Sequence, residues 1–215
     1  MAWDNIPDWA YTVTQSLLQA LKERDPYTDG HCRRVARNAA LLAQAAGLNE
    51  YEQRVIEFSS LFHDLGKIGI PDSILLKPGR LTAEEQSIIR IHPIKSAEIL
   101  APLNNIPFFK ATLPGVRHHH ERMDGLGYPD GVMGDQIPVS ARIILIADTF
   151  DAMTSTRPYR KGLPLDVAYR ELRQFAGRQF DTQLVKTFLD AHPGWGTLEE
   201  EITEEFVATN FKRAS

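Results

Sequence analysis

Apolar positions recur every three to four residues over most of this chain, and that spacing predicts helices. Val13, Leu17, Leu18 and Leu21 mark a first helix over roughly Asp8 to Arg24. "DPYTDG" interrupts the pattern, and a second helix runs from about Gly30 to Ala46. It stops at Gly47, the residue type that most readily takes the left-handed conformation after a helix end. Asn49 and Glu52 have the spacing of a capping box and open a third helix that ends near Phe62. Thr82 and Glu85 repeat that device and start a short helix toward His92. The stretch Ile106 to His120 is helical by period, although Pro114 and Gly115 lie inside it. Val139 to Asp151 is helical, Pro164 suits the first turn of another helix, and Asp181 caps a last one over Thr182 to Ala191.

Between these elements two segments read as loops. "GIPDSILLKPGRL" is punctuated by Pro71, Pro78 and Gly79. "RMDGLGYPDGVMGDQIP", from Arg122 to Pro138, holds four glycines and two prolines. An ordered loop of that length inside a domain is often functional. The best strand candidate is "ARIILIA", and its neighbours favour helix. No repeat or linker divides the chain. The expected fold is all-α, with residues 1–24 as an N-terminal helical arm and residues 25–215 as the main domain. The arm packs on its own domain, forms a homodimer, or corresponds to a connection to a sensor module in relatives.

Composition narrows the class. The chain has 215 residues, a net charge of −4 and 43% apolar residues, ordinary for a soluble globular protein. That balance does not suggest a DNA partner. No apolar run approaches the ~20 residues that span a bilayer, so no membrane insertion is expected. Cys32 is the only cysteine, which excludes an internal disulfide and fits the reducing cytoplasm.

The chemistry sits in the histidines. Of seven, only His192 stands apart from a motif that looks chemical. His63 and Asp64 are adjacent in "SSLFHD", at the end of an apolar helical turn where a carboxylate is costly without a partner. Neighbours on a helix point about 100° apart, so two adjacent ligands can converge on one ion, or one of them can bridge two. A carboxylate has two oxygens and can bridge; an imidazole cannot do so in this way. Lys67 lies four residues after His63, on the same side. Mixed histidine and carboxylate ligation suits iron, manganese, zinc or nickel better than calcium or magnesium. Taken singly, each signal has a plain alternative. His31 reads as a structural histidine, His92–Pro93 as a helix start, Lys67 as a solvated lysine, and Glu121 and Asp135 as ordinary charges.

Together the residues match a family. "HDLGKIGIPD", "KPGRLT", "HPIKSAEIL", "HHERMDGLGYPDG" and "ADTFDAMTSTRPYR" stand in order. They resemble the HD-GYP domain, a branch of the HD metal-dependent phosphohydrolases, over roughly Asp25 to Leu189. The resemblance implies an HD-domain helical bundle with an ordered GYP loop. It implies His31, His63, Asp64, His92, His119, His120 and Asp148 as metal ligands. His31, His63, Asp64 and Asp148 would hold one ion, and Asp64 would bridge to a second held by His92, His119 and His120. His118 is then an extra, solvent-facing residue; on a helix it would point about 200° from His120. Some relatives hold a third ion through a glutamate four residues before the first histidine. Tyr27 stands there in this chain, and a phenol is a poor ligand at neutral pH, so two divalent transition metals are expected, iron or manganese first, nickel or zinc otherwise.

The resemblance also implies an activity. HD-GYP domains open cyclic di-GMP, here expected to give linear pGpG by attack of a metal-bridging hydroxide, with slower cleavage to GMP. Asp64 and Lys67 would be catalytic. Lys67, Arg157 and Arg160 would contact substrate phosphate, with Gly127, Tyr128 and Pro129 shaping the groove. Asp124 would orient a ligand histidine, and the GYP loop would dock partners such as diguanylate cyclase (GGDEF) proteins. Two other functions compete. One is a binding module that keeps metals and nucleotide but acts through partners. The other is a phosphohydrolase of another cyclic dinucleotide.

Overall fold

The computed structural model describes residues 7–156 and 161–195. Arg157 and Arg160 lie outside the described residues, as does the side chain of Tyr27. Ten α-helices form among the described residues: α1 (Asp8–Arg24), α2 (Pro26–Ala45), α3 (Glu50–Phe62), α4 (Asp72–Leu75), α5 (Ala83–Ile89), α6 (His92–Leu100), α7 (Pro107–His118), α8 (Val139–Thr154), α9 (Leu165–Gln174) and α10 (Thr182–Ala191). No strand forms among them, and "ARIILIA" lies within α8 with Ile143, Ile144 and Ile146 buried.

The caps act as their spacing predicts. Asn49 accepts from the Glu52 N–H at 3.0 Å, and Glu52 accepts from the Asn49 N–H at 2.9 Å. Thr82 and Glu85 do the same for α5. Gly47 has φ 78°. The Leu48 and Gly47 amides reach back to the Ala43 and Gln44 carbonyls, which satisfies carbonyls left open at the end of α2.

Three boundaries differ from the sequence reading. Helix α2 begins at Pro26, four residues before Gly30, because proline is tolerated in a first helical turn. The loop after Gly69 contains the single turn α4. Helix α7 runs through Pro114 and Gly115 as expected but ends at His118, two residues before the expected His120. A Cβ at Gly115 would lie 3.0 Å from Ser59 and Ser140, so the missing side chain lets α7 approach α3 and α8 closely.

Helix α2 sits between two apolar clusters. Val35, Ala39 and Leu42 pack with Ile143, Ile146, Leu172 and Phe188 of α8, α9 and α10. On the other side Cys32 and Ala36 pack with Leu18 and Leu21 of α1, Phe58 and Phe62 of α3, and Phe109 of α7. Burying each such large side chain contributes about 1.5–3 kcal/mol. His31 is carried on α2, between these clusters, and so faces inward from both halves of the bundle.

Candidate metal centre

The HD pair lies where α3 ends. Phe62 is fully buried, His63 is the helix C-cap, and Asp64 leads into a 3-10 turn over Leu65–Gly69. Ser96 of α6 locks this corner. Its hydroxyl donates to the His63 carbonyl and accepts from the Gly66 N–H, both at 2.7 Å. A Cβ on Gly66 would lie 2.2 Å from the His92 carbonyl oxygen. Glycine there is what lets the HD corner touch α6 and brings Asp64 to His92.

Asp64 stands between two groups of ligand atoms. His31, His63 and Asp64 form one group, and His92, His119 and His120 form another, each with its ligand atoms within 4.8 Å of one another. The two Asp64 oxygens face different groups. Oδ2 lies 3.5 Å from His63 Nε2 and 3.8 Å from His31 Nε2, while Oδ1 lies 3.1 Å from His92 Nε2. Asp148 Oδ1 lies 3.0 Å from His31 Nε2. All seven residues expected as ligands therefore meet at one place.

Hydrogen bonds fix which ring nitrogen is available. His63, His92 and His119 each place Nδ1 against the carbonyl three residues back: Ser60 at 2.6 Å, Ile89 at 2.7 Å and Val116 at 2.8 Å. A carbonyl oxygen only accepts, so each Nδ1 carries the hydrogen. In the neutral ring Nε2 is then a lone-pair donor. His92 Nε2 and His119 Nε2 face each other at 3.2 Å. His63 Nε2 and Asp64 Oδ1 are buried without a hydrogen-bond partner. Orphaned buried donor atoms of this kind cost free energy unless something meets them, and a divalent transition ion fits this donor set.

The electrostatics agree. Burial pushes His63, His119 and His120 down, His120 to about 3, so these rings stay neutral. Burial alone would raise the Asp64 carboxyl, but the Lys67 ammonium beside it holds it well below the ordinary range. Burial would lower His31 too, yet the carboxylates of Asp148 and Asp151 hold it at about 9.

Comparison with known proteins gives the family of this chain. The HD domain family matches residues 15–184. The chain belongs to the HD domain family. The HD domain of this chain is 43% identical over 173 residues to the cyclic di-GMP phosphodiesterase response regulator RpfG of Xanthomonas campestris, covering 80% of this chain and 46% of that protein. It is 39% identical over 199 residues to a cyclic di-GMP phosphodiesterase of Thermotoga maritima, covering 93% of this chain and 52% of that one. It is 39% identical over 178 residues to the 3′3′-cGAMP-specific phosphodiesterase 2 of Vibrio cholerae, covering 83% and 34%. The chain thus spans about half or less of the length of these curated relatives. Among solved structures, an HDG"Y"P protein from Bdellovibrio bacteriovorus has a TM-score of 0.62 at 20% identity, covering 77% of this chain and 52% of that one. The HD-GYP resemblance carried by the five motifs holds, as does the all-α bundle.

Other expected site residues take varied places in this HD domain. Lys67 makes a direct ion pair with Asp64. Tyr128 stacks on His120 with ring centroids 4.7 Å apart. Gly127 allows the loop to lie against the helix end, since a Cβ would meet the backbone of His120, Glu121 and Arg122 at 2.5–2.6 Å. Pro129 follows Tyr128 through a cis peptide bond. Asp124 does not reach a ligand histidine: its carboxylate is taken by Arg122 and the Leu126 N–H. His118 is not solvent-facing but part-buried, with Nε2 3.0 Å from Asp130. Asp130 also takes Arg117 through two bonds of 2.8 Å.

Three contributors escaped the sequence reading. Asp151 is the carboxylate that meets His31 Nδ1, at 2.6 Å. It is itself held by Arg34 and Ser155. Its signal was its place three residues after Asp148, on the same face of α8. Ser96 gave no signal, because its role depends on the fold. Glu121 is fully buried and accepts from the Asp130 and Gly131 N–H groups at 2.7 and 3.0 Å. It pins the GYP loop against α7, so it is more than an ordinary charge.

Proposed function

We propose that this HD domain hydrolyses cyclic di-GMP to linear pGpG at a two-metal centre formed by His31, His63, Asp64 and Asp148 on one side and Asp64, His92, His119 and His120 on the other. The single observation that carries the reading is the Asp64 carboxylate, with one oxygen toward each group of histidines. When bound, two divalent transition ions supply the Lewis acidity that ionises water near neutral pH and offsets charge on a phosphoryl group. Iron or manganese suits these donors, with nickel or zinc as alternatives.

The chain's own residues do the rest. Asp64 and Asp148 bring anionic oxygens, and the fixed Nε2 lone pairs bring neutral donors, so the assembled cations keep net positive charge for a phosphodiester. Lys67 holds one Asp64 oxygen and has further ammonium protons for a phosphoryl oxygen. Burial of the site excludes competing water and strengthens each of these interactions. In-line displacement puts the incoming oxygen on phosphorus as the 3′ oxygen leaves with the electron pair. Arg157 and Arg160 are proposed to take substrate phosphate, by the family resemblance alone. The GYP loop is proposed, by the family resemblance alone, as a docking surface for partners such as diguanylate cyclases.

A second reading shares the chemistry and changes the base: relatives in Vibrio cholerae are named 3′3′-cGAMP-specific phosphodiesterases. One experiment separates the two. The chain is loaded anaerobically with Mn²⁺ or Fe²⁺ and given each cyclic dinucleotide, and the products are resolved by anion exchange. Faster cleavage of cyclic di-GMP with accumulation of pGpG is expected. Preference for 3′3′-cGAMP selects the second reading, GMP as the main product contradicts the two-ion expectation from Tyr27, and intact nucleotide with metals bound overturns both readings.

A further inference from the structure

The arginines beside the GYP loop differ in what they meet: Arg142 reaches Asp135 and Asp181. Arg117 is paired with Asp130 and Arg122 with Asp124. Arg90, on the turn between α5 and α6, has no carboxylate partner among the described residues. Its side chain is exposed, and its guanidinium carbon lies 5.2 Å from the centroid of the Tyr128 ring. Tyr128 is in turn stacked on His120 and lies 6.5 Å, ring to ring, from His92. A guanidinium with no carboxylate partner among the described residues therefore stands one aromatic ring beyond the proposed metal centre, two residues before one of its proposed ligands.

The position of that ring is well determined. The Tyr128 N–H donates to the His120 carbonyl at 3.2 Å, and Gly127 lies against the backbone of the same turn. Glu121 holds the far side of the loop through Asp130 and Gly131. A cation over an aromatic face is attracted to it, so Tyr128 gives Arg90 a fixed seat while leaving its N–H edge open. That edge offers parallel donors in a planar fork and matches paired acceptors.

We infer that Arg90 is a substrate contact of the proposed phosphodiesterase, whose fork takes a pair of acceptors on the cyclic dinucleotide next to the reacting phosphate. Two such pairs exist on cyclic di-GMP: the O6 and N7 atoms of guanine, and the two free oxygens of the second phosphodiester. Adenine offers N7 beside an amino donor and cannot take both arms of the fork. A contact to guanine makes Arg90 a residue that reads the base; a contact to phosphate makes it one that positions the ring. The inference rests on the cyclic dinucleotide reading of the site.

The test is equilibrium binding to the Mn²⁺-loaded chain of non-hydrolysable phosphorothioate analogues of cyclic di-GMP and cyclic di-AMP. Wild type, Arg90→Ala and Arg90→Lys are compared at several salt concentrations. Loss of about tenfold or more for the guanine analogue alone, not rescued by lysine, supports a base contact. Equal loss for both analogues, with a shallower salt dependence that lysine partly restores, supports a phosphate contact. Unchanged affinity of both variants, with wild type binding well, overturns the Arg90 assignment and leaves the enzyme reading standing. A wild type that binds neither analogue overturns the cyclic dinucleotide reading itself.

Discussion

His31 Nδ1 lies 2.6 Å from the Asp151 carboxylate, and 120 residues of sequence separate the two. The bond fixes the ring so that Nε2 faces Asp148 and Asp64. Asp151 is held in place by Arg34, three residues along α2 from His31. Removing a carboxylate behind a ligand histidine lowers metal affinity by roughly 10–100-fold. Asp151→Asn is expected to weaken metal binding by that factor in a competitive chelator titration. Unchanged affinity would show that His31 needs no such support.

The two Asp64 oxygens face different groups of histidines. Asp64→Ala is expected to abolish turnover and to lower metal content well below two ions per chain, read by elemental analysis. Two retained ions would remove Asp64 from the bridging role.

His118 precedes the proposed ligand pair His119 and His120 and is not proposed as a ligand. Its ring bonds the Pro114 carbonyl and Asp130, each at 3.0 Å. His118→Ala should leave the metal content of the chain unchanged. It should cost about 1 kcal/mol of stability through the lost hydrogen bonds, seen as a lower denaturant midpoint. Loss of an ion would shift the paired ligands by one position.

Gly66 has backbone where a side chain would go, 2.2 Å from the His92 carbonyl oxygen and 2.6 Å from the Ser96 nitrogen. Gly66→Ala must push the HD corner off α6. Overpacking of this kind costs about 1–3 kcal/mol or more, which lowers Tm by several degrees in a chain of this size. It should also weaken metal binding, because Asp64 and His92 move apart. A variant with wild-type Tm and metal affinity would contradict the close contact.

His192 gives a pH dependence away from the metals. Burial among Phe150, Phe188 and Trp195, with Arg37 nearby, lowers it to about 4, and Tyr169 lies 2.7 Å from its Nδ1. The folded state prefers the neutral ring, so its stabilising effect is full above the ordinary value of 6.5. As pH falls from there toward 4 the unfolded chain takes up the proton first, and that stability is lost. Tm should therefore fall less over that range in His192→Gln than in wild type. Parallel curves would remove His192 as a cause.

The legible parts of this fold were local. Two capping boxes and the glycine after α2 announced helix ends correctly, because a cap needs only residues a few positions apart. The expected ligand set came from a family pattern, and the structure brings those residues together. Asp151, Ser96 and Glu121 were not legible, because each acts on a partner that only the fold brings near. Asp124 and His118 were misplaced for the same reason: a charge near a site in sequence pairs with whatever lies closest in space, here Arg122 and Asp130.

The two proposed groups of ligands sharing Asp64 should act as one binuclear centre. Metal-free chain titrated with Mn²⁺ under anaerobic conditions, with cyclic di-GMP cleavage followed at each step, tests it most directly. Turnover should stay low through the first equivalent and rise to its limit only as the second binds. Full activity at one equivalent would contradict the shared centre.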